Sequence, residues 1–270
     1  LEPYYPQHIG KIGLAGGRVI SAPLDAKRGY AIDPDAIAAR VTARTKAIIL
    51  VNPCNPTGRV YTRDELEALA AIAISHDLIV IADEVYEQIV FDDARHISIA
   101  SLPGMAERCI TLFAFTKAYA MDGWRLGYAV ASPALIEAML TVTANEVTHV
   151  NSFIQFGALA AVELGEEALA TMLSEDDRRR RRVVEALDAC PGMRCPLPEG
   201  GIYAFPDISA TGRTSQEIVD ALLRDEGVVL EAGSFYGPAG EGHLRLCFGA
   251  ETSERLDEAL QRIRRFFAKH

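Results

Sequence analysis

Three short, nearly continuous apolar runs, at 46–51, 78–82 and 109–115, constrain this chain more than any other feature. Each is strand-length, carries Ile, Val or Thr, and stops at a polar cluster. A strand that is apolar all round is buried on both faces, which is the pattern of parallel sheets covered by helices. Between the first two runs, Thr62-x-x-Glu65 forms a capping box that opens an amphipathic helix reaching about residue 76. Strands alternating with helices indicate an α/β sheet, whose ligands gather beyond the carboxyl ends of the strands. Asn55, Asp83 and Lys117 each lie just past the end of one run, so they are expected to converge.

The rest of the chain is read in the same way. Residues 1–7 hold two prolines and two tyrosines and read as a loop; 14–23 carry Gly16-Gly17 and then a short β-prone run. A helix is expected over 33–43, with Asp33 as N-cap and Pro34 at its first position. Residues 52–58, Asn-Pro-Cys-Asn-Pro-Thr-Gly, form a rigid loop. A further strand is expected over 124–130, and helices over 133–147 and 152–189. The last of these includes five consecutive arginines, 178–182, which point all round a helix axis and read as a solvated surface. From Cys190 the texture changes to clustered Pro and Gly. Strands at 202–205, 228–231 and 243–248 and helices at 215–226 and 253–268 then make a compact α+β unit. The expected organisation is a large domain over 1–165 and a smaller C-terminal domain over 166–270.

With 270 residues, 49% of them hydrophobic and 24% charged, the chain has globular composition, near the upper size for one core. A net charge of −10, from 27 basic and 37 acidic side chains, argues against nucleic acid or an acidic membrane as partner. The five cysteines are odd in number and form no CxxC pair, so neither a disulfide framework nor a zinc site is signalled. A reducing cytoplasm fits, and no metal is expected. No apolar run reaches the roughly 18 residues of a membrane span, and LEPYYPQH does not read as a signal peptide.

The chemistry concentrates in Phe113-Ala-Phe-Thr-Lys-Ala-Tyr-Ala-Met-Asp-Gly-Trp-Arg-Leu-Gly-Tyr128. A lysine at the end of a buried strand is partly desolvated, which favours its neutral, nucleophilic amine. Arg125, eight residues on, offers a planar fork suited to a phosphate. An amine that attacks carbonyls beside a phosphate-binding arginine suggests pyridoxal phosphate. By residue type alone, other readings stay open. Asp83 could cap the strand end, Tyr86 could be core, Tyr5 could be a loop aromatic, and Arg245 could pair with Glu231 or Glu251.

Four motifs in order, N-P-x-N-P-T-G, D-E-x-Y, K-x-Y-A-M-x-G-W-R-L-G-Y and G-G-x-Y-x-F-P, resemble the class I/II aminotransferases of fold-type I. The resemblance runs from Pro3 to the C-terminus. It implies a mostly parallel-sheet large domain that binds pyridoxal 5′-phosphate (PLP), followed by a small domain. The reaction it implies moves an α-amino group from an amino acid to a 2-oxo acid in a cytoplasmic homodimer. Residue by residue, Lys117 matches the Schiff-base lysine and proton shuttle. Asp83 matches the pyridine-nitrogen partner, and Tyr86 and Asn55 the donors to ring O3′. Arg125 matches the phosphate arginine, Arg245 the substrate-carboxylate arginine, and Tyr5 an aromatic stacked on the cofactor.

Two departures stand out. Where the family often has a small hydroxyl residue three before the lysine, this chain has Ala114, and Thr116 is the nearest substitute for the phosphate contact. The family also has a segment before the Pro3 equivalent, with a phosphate-cupping loop and a tyrosine that reaches the partner subunit's site; neither occurs in this sequence. β-Lyases and decarboxylases share the fold and the same lysine, aspartate and arginine. The aminotransferase-like sensor domain of a transcription regulator is the non-catalytic alternative.

Overall fold

The computed structural model describes residues 1–147 and 149–269. From the N-terminus its elements begin with α1 (Pro6–Leu14), α2 (Pro34–Ala38), β1 (Ala47–Val51), α3 (Arg63–Ser75) and β2 (Ile79–Asp83). There follow β3 (Cys109–Ala114), α4 (Phe115–Ala118), β4 (Gly127–Ala131), α5 (Pro133–Glu146), α6 (Ser152–Leu164) and α7 (Glu166–Asp188). The chain ends with β5 (Tyr203–Ala204), α8 (Ser215–Glu226), β6 (Glu231–Ala232), β7 (Leu244–Cys247) and α9 (Ser253–Lys269). Two compact units result. The first comprises Leu1–Ala31, Cys54–Arg59 and Ser174–His270; the second comprises Ile32–Pro53 and Val60–Leu173.

The second unit is built on a four-stranded sheet in the order β1-β2-β3-β4. β1, β2 and β3 run parallel and β4 is antiparallel to β3, so the sheet is mostly parallel, as the apolar runs require. Leu50, Val80, Ala82, Leu66, Leu69 and Ala73 are fully buried and form its core with α3. Burying each leucine stabilises the unit by roughly 1.5–3 kcal/mol. The α3 capping box is complete: the Thr62 side chain accepts from Glu65 N–H, and Glu65 reaches back to the Thr62 backbone. The strands approach closely at Gly127. A Cβ there would stand 2.7 Å from the Phe113 carbonyl oxygen, and the absence of a side chain lets β4 close onto β3. Tyr128 then stacks on Phe113, with centroids 5.0 Å apart.

The first unit centres on a three-stranded antiparallel sheet in the order β5-β7-β6. Leu244, Phe248, Ile218, Leu222 and Ile263 are among its fully buried residues. α8 repeats the capping-box device with Thr214 and Glu217 and ends on Gly227 in the left-handed conformation.

Several boundaries differ from the sequence reading, each for a local reason. Helix α1 starts at Pro6, inside the expected loop, because extended Tyr5 precedes a proline suited to the first helical position. No strand follows Gly16-Gly17. α2 keeps its Asp33 cap but ends at Ala38; the Thr42 hydroxyl accepts from Arg44 N–H and the Thr45 hydroxyl from Thr42 N–H, a turn that competes with helix. The expected strand at 124–130 begins only at Gly127. Asp122–Trp124 form a 3-10 turn and Arg125 is left-handed at φ 54°. The arginine run is not wholly solvated either. Arg180 is fully buried, donating to Asp177 Oδ1 at 2.8 Å and to the Pro198 carbonyl at 2.6 Å.

The candidate active site

β2 ends on Asp83, which the register sets between Val51 of β1 and Leu112 of β3. Its backbone is fixed on both sides: Asn52 N–H donates to the Asp83 carbonyl, and Glu84 N–H to that of Leu112, both at 3.0 Å. The side chain is buried. The chain then turns at once, and this turn carries Tyr86, also buried. β3 runs directly into α4, a single helical turn that holds Thr116 and Lys117, both half-buried. Lys117 Nζ lies over the Tyr86 ring, 5.8 Å from its centroid. The second unit thus gathers an amine, a phenol ring and a buried carboxylate at the carboxyl ends of parallel strands. Arg125 belongs to the same unit but lies on its surface. Its Nη1 donates to the Asp122 carbonyl at 3.0 Å and contacts Asp122 Oδ1 at 3.4 Å.

Beside Asp83 lies a pair to which the sequence reading gave no role. Glu84 has no exposed side-chain surface, and its carboxylate stands 3.5 Å from His96 Nε2. Burial pushes Glu84 up to about 7, opposed by hydrogen bonds from Ser98 and the Ile99 backbone. Burial likewise pushes His96 down to about 4. Glu84 sits within the D-E-x-Y motif, but nothing in sequence shows that His96, twelve residues on, folds back against it.

The first unit holds the other candidates. Asn55 is buried in the loop, and residues 54–59 are tightly tied. Gly58 O accepts from Glu199 N–H and Gly200 N–H at 2.9 Å each, and Arg59 meets Glu199 at 2.8 Å. Gly58 has φ 72°, and a Cβ on it would stand 2.4 Å from Pro198 Cβ, so the loop admits only glycine there. Arg245, on β7, donates from Nη1 to Asn55 Oδ1 at 3.2 Å. Of the two carboxylates considered for it, Glu231 is the one in contact, 2.6 Å from Nη2, while Glu251 pairs with Arg255. Tyr5 is the N-cap residue of α1, half-buried with its ring edge-on to His8 at 5.4 Å. The structure thus brings Lys117 to Tyr86 and Arg245 to Asn55. Tyr203 and Tyr236, which flank Arg245, were not among the expected site residues; Tyr203 is the tyrosine of G-G-x-Y-x-F-P.

The family model for aminotransferase class I and II matches residues 1–263. The chain belongs to this family. The aminotransferase is 40% identical over 268 residues to the putative aminotransferase YugH of Bacillus subtilis (strain 168), covering 99% of this chain and 69% of that one. It is also 40% identical over 263 residues to an aspartate aminotransferase of Pyrococcus abyssi, covering 97% and 67%. Among solved structures it superposes on the aromatic aminotransferase from Pyrococcus horikoshii OT3 with a TM-score of 0.95 at 39% identity, covering 99% of this chain and 72% of that one. The chain spans about two thirds of the length of these relatives. The enzyme is a PLP-dependent transaminase of fold-type I. The side chains of the second unit fit the cofactor: a primary amine for its aldehyde and a buried carboxylate for its ring nitrogen. Among the described residues, no helix is long and apolar enough to cross a membrane, and no cluster suited to a metal ion occurs.

Proposed function

We propose that Lys117 is the covalent attachment point of PLP and the group that carries the proton from substrate Cα to cofactor C4′. The observation that carries this reading is the position of its amine, on the one-turn helix that ends β3 and over the Tyr86 ring. When bound, the cofactor supplies an electron sink for the pair left at Cα. Asp83 holds the proton on the pyridine nitrogen and so keeps that sink effective. Tyr86 and Asn55 would hold ring O3′, Arg125 and Thr116 would hold the phosphate, and Tyr5 would lie against the ring. Among the described residues Arg125 pairs with Asp122, an exposed pair of low stability, so its guanidinium is available to a phosphate. Arg245 grips the substrate α-carboxylate, with two aromatic faces to hold its plane.

By role, the 1–165 stretch holds the cofactor and the 166–270 stretch supplies the carboxylate clamp. The substrates are an amino acid and a 2-oxo acid, and the working form is a cytoplasmic homodimer. Five free cysteines, four of them buried, support a reducing compartment. Borohydride reduction of the PLP-loaded enzyme followed by peptide mapping tests the central assignment. The label is expected on Lys117; label on Lys11 or Lys46 instead refutes it.

A further inference from the structure

Arg245 already has a carboxylate on it. The β6–β7 register sets Glu231 directly opposite Arg245, so the backbone fixes the pairing. Arg245 Nη2 lies 2.6 Å from Glu231 Oε2, and the Tyr236 hydroxyl donates to the same oxygen. The guanidinium carbon stands 4.2 Å from the Tyr203 ring centroid and 5.1 Å from that of Tyr236. Nη1 is engaged by Asn55. Nε is buried and has no hydrogen-bond partner. The Arg245 side chain is 14% exposed and that of Glu231 43%, so the pair is sheltered on the arginine side and open on the carboxylate side.

This arrangement sets a condition on substrate binding. One guanidinium carries one positive charge. A second carboxylate arriving on it meets Glu231 within a few ångströms, and two anions that close disfavour each other's charged forms. An incoming carboxylate must therefore displace Glu231 or bind against its repulsion. Glu231, on the solvent-facing side, is the movable member of the pair.

We propose that Glu231 is an internal competitor for the α-carboxylate subsite, a specificity-determining residue that holds Arg245 between turnovers and weakens capture of every carboxylate ligand. The proposal rests on the reading of Arg245 as the carboxylate clamp. Its consequence is selective: Glu231 acts on ligands that carry the carboxylate and leaves those that lack it alone. It also keeps a sheltered arginine from standing uncompensated when the subsite is empty.

The test uses propionate, a carboxylate that cannot react, titrated calorimetrically into PLP-loaded wild type, Glu231→Gln, Glu231→Ala and Arg245→Lys. Glu231→Gln keeps an oxygen acceptor for the Tyr236 hydroxyl and removes only the charge. Both Glu231 variants are expected to bind propionate about tenfold more tightly than wild type, a gain consistent with removing one nearby charge at partial exposure. KM for an amino-acid donor should fall in parallel, while KM for an amine without a carboxylate does not move. Arg245→Lys should bind propionate more weakly than wild type. If Arg245→Lys loses binding but both Glu231 variants bind no better than wild type, the clamp stands and the competitor is overturned. If Arg245→Lys binds as wild type does, the clamp reading itself fails, and the proposal with it.

Discussion

Asp83 shows how much one position can decide. It is the last residue of a buried strand, and a carboxylate removed from water is unfavourable unless something compensates its charge. A protonated ring nitrogen is such a compensation, and it makes Asp83 matter most when negative charge develops on the ring. Asp83→Asn keeps the shape and removes the charge. Stopped-flow half-reaction kinetics on this variant should show kcat/KM lowered about 100- to 1,000-fold, the scale of losing one aimed electrostatic contact. Thermal melts should move little by comparison, and near-normal turnover would end the assignment. The placement of Asp83, Tyr86 and Lys117 at or just past strand ends was legible in sequence, because an apolar run marks where each strand stops. The partner of Arg245 was not. Choosing Glu231 over Glu251 requires the β6–β7 register, and the strand expected at 228–231 meets the observed Glu231–Ala232 only at Glu231. Arg125 was legible as a motif residue, yet its left-handed backbone depends on how the 122–124 turn meets β4.

At the scale of the element, the segment after β2 carries two buried groups whose protons oppose one another. Glu84 is raised from 4.5 to about 7, so between those values the folded chain keeps a proton that the unfolded chain has released. Its contribution to stability therefore falls as pH rises from 4.5 to 7. His96 is lowered from 6.5 to about 4, so between those values the unfolded chain holds the extra proton, and stability falls as pH drops from 6.5 to 4. From pH 4.5 to 6.5 the two slopes cancel in wild type. Single substitutions should unmask them. Glu84→Gln should leave stability declining on acidification from 6.5, and His96→Asn should leave it declining as pH rises from 4.5. Each slope is at most about 1.4 kcal/mol per pH unit. Urea unfolding at pH 4.5, 5.5 and 6.5 measures both, and parallel profiles for the two variants would exclude the account. Helix starts were more legible than helix ends. The Thr62 box is local and falls where the sequence set it, and α8 starts at the expected residue 215, whereas α2 is cut short by a threonine turn whose alternative bonding competes with the helix.

At the scale of the whole molecule, α5 and α6 leave Leu140, Val142, Phe153, Phe156, Leu159 and Val162 exposed. The homodimer reading predicts that the native enzyme scatters light as twice the chain mass across a wide concentration range. A monomer with full activity would contradict it. The two compact units were the least legible feature, because proximity in space does not follow order in sequence. Packing groups segments that lie far apart in the chain. In the first unit the Glu2 carboxylate accepts from Ala239 N–H at 2.8 Å, and Gly58 O takes the N–H groups of Glu199 and Gly200. Residues from the start, the middle and the end of the chain thus share one core. For a gene, that has a cost at recombination. A single crossover between two diverged relatives, wherever it falls between residues 31 and 174, joins a core assembled by one lineage to segments tuned by the other. Chimeras that respect the packing need four junctions, after 31, 53, 59 and 173. Descent in such a lineage should run by point substitution far more than by the shuffling of halves.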